Sequence, residues 1–251
     1  MRPGSLALAL ALALLASACE AQISGGLGIT LATVDAQPGG SADAVDTTPT
    51  ALCASRTVYL NFDGQALTRG TSDATLNRAS WMQIAQGTAP AYLGGNPARA
   101  TAIQTIVDGV RTQLARFPIT VVTTRPTSGE YVMIVFGGKA AAVGSRFGAS
   151  VNQLDCGDVQ HNDVAWIGDG VSPVQRVINT AIGAIGFGLG LTATVDPTDC
   201  MCGWDNACVA ASTAACTLGS PVARDPAANQ LCPGAASTQD EVATLRGAFC
   251  G

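Results

Sequence analysis

The chain has 251 residues, 47% of them hydrophobic and 12% charged, with a net charge of −5; that is enough apolar material for one substantial core. One lysine and twelve arginines, scattered along the chain, form no basic stripe, so nucleic acid is excluded as an expected partner. Few aromatic residues and abundant Gly and Ala point to a fold with thin walls and many turns.

Residues 1–18 read as a signal peptide. Arg2 supplies the positive end, Leu6 to Leu15 ("LALALALALL") the apolar stretch, and Ala16-Ser17-Ala18 a small-residue cleavage site. The apolar run is too short to span a bilayer. "LLASAC" also resembles a bacterial lipobox, in which Cys19 becomes the lipidated first residue of the mature chain; the position three before the cysteine is Ala16, where leucine is usual. Export is expected on either reading, with Cys19 as the membrane anchor on the second. The expected location is the outer membrane or cell surface, with the periplasm or medium as the alternative. Residues 19–50, rich in Gly, Ala, Ser, Thr and Asp without a period, read as a tether, and 51–251 as the folded domain.

Eight further cysteines (Cys53, Cys156, Cys200, Cys202, Cys208, Cys216, Cys232 and Cys250) are an even set in an exported chain and predict disulfides whose pairing the spacing leaves open. Cys200 and Cys202 are expected to take part because they bracket Met201. The spacing in "CMCGWDNAC" matches no standard zinc ribbon.

Within the domain, "RTVYLNFDG" alternates Val58, Leu60 and Phe62 with Thr57, Tyr59 and Asn61, a strand ended by Asp63-Gly64. A helix follows, with Asn96 as N-cap and Pro97 at its first position. Ile103, Ile106, Val107, Val110, Leu114 and Phe117 lie on one face of it. "ITVVTT" and "YVMIVFGG", separated by a turn at Arg125-Pro126, and then "DVAWIG" read as strands. "SPVQ" predicts a second helix with Ser172 as N-cap and Gln175 reaching back in a capping box, which sets 183–187 on its second and third turns, and Gly188 and Gly190 end it. Thr238 and Glu241 box a last helix carrying Val242, Leu245 and Phe249. The order gives an α+β domain: a twisted mixed sheet packed with two main helices, then a Cys-rich part with a terminal helix.

"GAIGFGLGLTATVDPTDCM", residues 183–201, has the frame of H-E-x-x-H-x-x-G-x-x-H followed by a methionine turn. Two histidines at i and i+4 share a helical face and grip one ion. The glutamate beside the first takes a proton from metal-bound water, and a glycine turns the chain so that a third histidine returns. Leu189, Gly190, Leu191, Asp196, Pro197 and Met201 occupy frame positions of this motif, so the stretch resembles the matrixin form of the metzincin zinc proteases. Gly183, Ala184, Phe187 and Ala193 stand where that family has His, Glu, His and His. The resemblance therefore implies a metzincin-like fold with a degenerate site: no catalytic residue, no metal ligand and no zinc.

No replacement chemistry stands out. His161, the only histidine, reads as a solvated loop residue. Asp155, Asp158, Asp163, Asp169, Asp196 and Asp199 have the chemistry for calcium, but turn-forming is the ordinary role of such aspartates. "VINTAIGAIGFGLGLTATV" approaches membrane-span length, but its glycines with Asn179 and Thr180 favour a buried core helix. The expected function is that of an inactive, exported protease homologue that keeps binding an extended peptide or protein along a sheet edge. The alternatives are a hydrolase working through unrecognised residues and a structural surface lipoprotein.

Overall fold

Alternation of apolar and polar side chains makes Arg56–Asn61 a strand, β1, in the computed structural model, which describes residues 55–202 and 213–247. The signal peptide, Cys19, the tether and Cys53, Cys208, Phe249 and Cys250 lie outside the described residues. There follow β2 (Gln65–Arg69), β3 (Arg78–Ala79), β4 (Gln86–Ala89), α1 (Arg99–Leu114), β5 (Ile119–Val122) and β6 (Tyr131–Phe136). Next come α2 (Ala140–Val143), β7 (Ser150–Val151), β8 (Val164–Ile167) and α3 (Val174–Gly188). The C-terminal part holds β9 (Val222–Ala223), α4 (Pro226–Asn229), β10 (Thr238–Gln239) and α5 (Glu241–Gly247).

The main sheet has the order β5-β1-β6-β8-β7. Its first four strands run parallel and β7 pairs antiparallel to β8 at the edge, so the sheet is mixed. A parallel strand must be apolar on both faces, and β6 ("YVMIVF") is buried at every residue. Val132, Ile134 and Phe136 join one core cluster with the inner faces of α1 and α3, while Tyr131, Met133 and Val135 join another with Leu67, Trp81 and Met82. The second cluster sits under the small sheet β3-β2-β4. Trp81 and Trp166, buried there, satisfy their indole N–H groups on the carbonyls of Val164 and Gly137, at 2.8 Å each.

The helices form where the apolar spacing places them, but their starts differ from the expectation. At α1 the Asn96 side chain does accept from the Ala98 N–H (2.9 Å), yet the helix begins only at Arg99, so Pro97 precedes it. The expected capping box at Ser172 is absent: α3 begins at Val174 after an extended Pro173, with no side-chain cap. The Gln175 amide instead donates to Asn179 one turn on. Residues 183–187 consequently lie in the last two turns of α3. At α5 the cap is Asp240, which accepts from the Ala243 N–H at 2.7 Å, while Thr238 belongs to β10 and Glu241 is buried. No helix among the described residues is long and apolar enough to cross a membrane.

Candidate functional site

The C-terminal end of α3 is closed by a six-residue turn: the Leu191 N–H donates to the Gly186 carbonyl (2.9 Å) across Gly190, whose φ is +87°. This is the Schellman arrangement, in which the residue past the cap takes the left-handed conformation that glycine tolerates best. Gly190 is also required sterically, because a methyl group there would lie 2.9 Å from the Asp158 amide nitrogen. Gly190 thus turns the chain sharply at the end of α3.

Beyond it the chain runs back beneath α3. Thr194 N–H donates to Met201 O (3.3 Å), and Asp225 N–H donates to Ala193 O (2.8 Å). Asp196 accepts from both the amide and hydroxyl of Thr198 at 2.8 Å, which holds its carboxyl below the usual range. Asp199 accepts from the Met201 N–H at 2.7 Å. These two aspartates shape the turn that presents Met201. Its thioether packs where a side chain on Gly186 would stand, and a methyl group on Gly183 would lie 2.7 Å from the Cys200 carbonyl oxygen.

Gly183, Ala184, Phe187 and Ala193 are all buried, and the last three, with Cys200 and Met201, belong to the core cluster between the sheet and the helices. Phe187 is 9% exposed. Not one of the four side chains carries a nitrogen, oxygen or sulfur atom, so these positions do not fit a zinc ion. Among the described residues no three His, Cys, Asp or Glu side chains are grouped to hold a metal.

The aspartates singled out from the sequence have separate tasks. Asp169 accepts from the amides of Leu93 and Gly138, and Asp155 from that of Gln160. Asp158 pairs with Arg56, and burial still pushes its pKa up. Asp163 is buried, and among the described residues neither of its oxygens has a hydrogen-bond partner. Burial first, then the charges of Asp155 and Asp158, raise its pKa to about 8. His161 lies in an exposed loop and meets Glu130 at 2.7 Å.

Two disulfides join Cys156 to Cys232 and Cys200 to Cys216; Cys202 is disulfide-bonded as well. Such bridges belong to an oxidising, extracellular type of environment. Cys200–Cys216 ties the Met201 turn to the returning chain, where Cys200 N–H also donates to Thr217 O at 2.8 Å. Two surface depressions, of about 320 and 290 Å³, are lined by α1 with Phe62 and by this disulfide with Arg116, and neither is lined by residues 183, 187 or 193.

One buried acid differs from its expected role. Glu241, expected as a capping residue, is fully buried against Asp199 and Gln239, and its pKa is raised to about 8. The only local signal is the acidic pair Asp240-Glu241 immediately after a strand-like "STQ".

No protein-family model and no curated protein sequence matches the chain. Among solved structures it is similar to the archaemetzincin of Methanopyrus kandleri, at 12% identity and a TM-score of 0.36, over 71% of this chain and 93% of that chain.

Proposed function

We propose that the protein is an exported, lipid-anchored pseudoprotease with a matrixin-like domain, which binds an extended peptide or protein segment and does not cleave it. The observation that carries this reading is the dry frame of residues 183–201. Its glycine turn and methionine turn are formed, while the four positions that would do the chemistry are buried, apolar and donor-free. A catalytic zinc site needs about three protein ligands and an open position for water, and these four positions supply none of those ligands. Binding is the activity left to such a domain. The two-residue edge strand β7, paired among the described residues only with β8, leaves backbone groups for an added strand.

The test uses the full chain. Metal analysis is expected to find no stoichiometric zinc, and casein and mixed peptides are expected to survive incubation with it. Chelator-sensitive cleavage by a homogeneous preparation would overturn the reading. Titration against a library of extended peptides examines the binding half, and failure of every member removes it. Mass spectrometry of the mature N-terminus is expected to show a lipid on Cys19; an unmodified Cys19 or a start at Glu20 removes the anchor.

A further inference from the structure

Four segments meet in a buried polar knot behind the Met201 turn. Gln239, at the end of β10, clamps Thr192: its Oε1 accepts from the Thr192 amide and hydroxyl, both at 3.0 Å, and its Nε2 donates to the Thr192 carbonyl at 2.8 Å. The same Nε2 donates to Glu241 Oε1 at 2.8 Å. Glu241 Oε2 accepts from the Gly219 N–H at 2.8 Å, and Glu241 N–H returns a bond to Gly219 O at 3.2 Å. Asp199, holding the Met201 amide, stands beside this group: a methyl group on Gly219, the residue that Glu241 bonds, would lie 3.7 Å from Asp199 Oδ2, and each carboxyl acts on the other.

Two ionised carboxylates are acceptors only, so a hydrogen bond between them requires one proton. Both side chains are buried, and two negative charges side by side in a buried site are strongly unfavourable. Their burial also keeps them from touching a substrate, so the pair is structural rather than a catalytic dyad. We propose that Asp199 and Glu241 form a proton-dependent latch between the Met201 turn and α5, closed while the pair holds one proton and released when it holds none. The latch is independent of whether the domain binds peptides.

Among the described residues, the charges around the pair offer no substitute for the proton. Asp196, on the same turn, adds negative charge beside Asp199. At the cap of α5, the Asp240 carboxyl is engaged with Ser220 and the Ala243 amide, and Arg246 acts on Asp240. After β9, Asp225 caps α4 through the Ala227 amide, and the Arg224 pKa is lowered by burial alone. Arg116 donates to the Leu218 carbonyl at 3.0 Å. The proton resides on Glu241, whose pKa burial and then Asp199 push up to about 8. The latch is therefore closed at neutral pH and opens in alkaline solution.

The test is a pH titration of the folded full chain by NMR. The Glu241 side-chain carboxyl carbon is expected to titrate above pH 7. The Met201 and Gly219 amides, corrected for intrinsic exchange, are expected to lose protection about tenfold per pH unit once the pair gives up its proton. In Asp199→Asn the amide donates to an ionised Glu241 and no proton is needed, so protection at both amides is expected to persist to pH 9. Asp163 titrates in the same window, so both chains are also compared in an Asp163→Asn background. Glu241 titrating near the ordinary carboxylate value, or the same alkaline loss of protection in Asp199→Asn, overturns the latch. The wild-type titration decides the matter alone if Asp199→Asn fails to fold.

Discussion

The Cα of Gly183 faces the carbonyl of Cys200 so closely that a single methyl group on it would stand 2.7 Å from that oxygen. The Met201 turn is therefore packed against α3 at the very position where the zinc-protease frame has its first histidine. Gly183→Ala is expected to destabilise the domain by about 1–3 kcal/mol, the usual cost of overpacking, despite a helix-propensity gain of about 1 kcal/mol. Gly186→Ala should cost less, because its obstruction is the flexible Met201 thioether rather than backbone. Chemical denaturation of the two variants checks the ranking. A Gly183→Ala protein as stable as the wild type would show that the turn does not rest on the helix.

The Cys200–Cys216 bridge closes a loop of 16 residues, and replacing both cysteines by serine is expected to cost about 3 kcal/mol on the loop-entropy scale. The Cys156–Cys232 bridge spans 76 residues, so its removal is expected to cost somewhat more. Non-reducing peptide mapping should recover both pairs, and alkylation of the undisturbed protein should leave these four cysteines unlabelled. Labelling of most of them would remove the oxidised framework.

Much of the layer order was legible, because β1, β6 and β8 declare themselves by β-branched and apolar runs and α1 and α3 by apolar spacing. The helix starts were less legible. Ser172 and Gln175 spell a capping box, but Gln175 bonds to Asn179, a choice that local spacing cannot reveal. The second core face was not legible either. β2, β3 and β4 are short and largely exposed, and it is Trp81 and Met82, outside any strand, that cover the sheet there. At the site, the frame from Gly190 to Met201 could be read because glycine and turn-forming aspartates act locally. The Asp199–Glu241 pair could not, since it joins residues far apart in sequence and Glu241 carries the same letter as a helix-start acid.

Asp163 predicts a pH dependence whose sign follows from its environment. Its folded pKa of about 8 lies above the ordinary 3.8, so between those values the folded state binds more protons than the unfolded one. Stability contributed by this group is therefore fully present below about pH 4 and falls as pH rises toward about 8. Asp163→Asn removes the titration, and its melting temperature is expected to vary less than that of the wild type between pH 5 and 9. Parallel melting curves check this, and an equal slope in both proteins counts against a neutral Asp163.

Gly190 and Gly95 form a matched pair that separates backbone strain from crowding. Both take positive φ, +87° and +77°, but a methyl group on Gly95 meets nothing within 4 Å among the described residues, whereas on Gly190 it meets the Asp158 amide at 2.9 Å. Gly95→Ala is expected to cost only the left-handed penalty, about 1–2 kcal/mol. Gly190→Ala adds an overpacking term of about 1–3 kcal/mol, because the obstructing atom is backbone in the 155–163 loop, which is itself tied to α3 by the Asp155 N–H bond to Phe187 O. The excess cost of Gly190→Ala over Gly95→Ala thus reports how tightly this loop is fixed against the end of α3. Urea denaturation of the two variants measures it. Equal losses would mean that the loop yields freely, and that the glycine of the motif is needed for its dihedral angle alone.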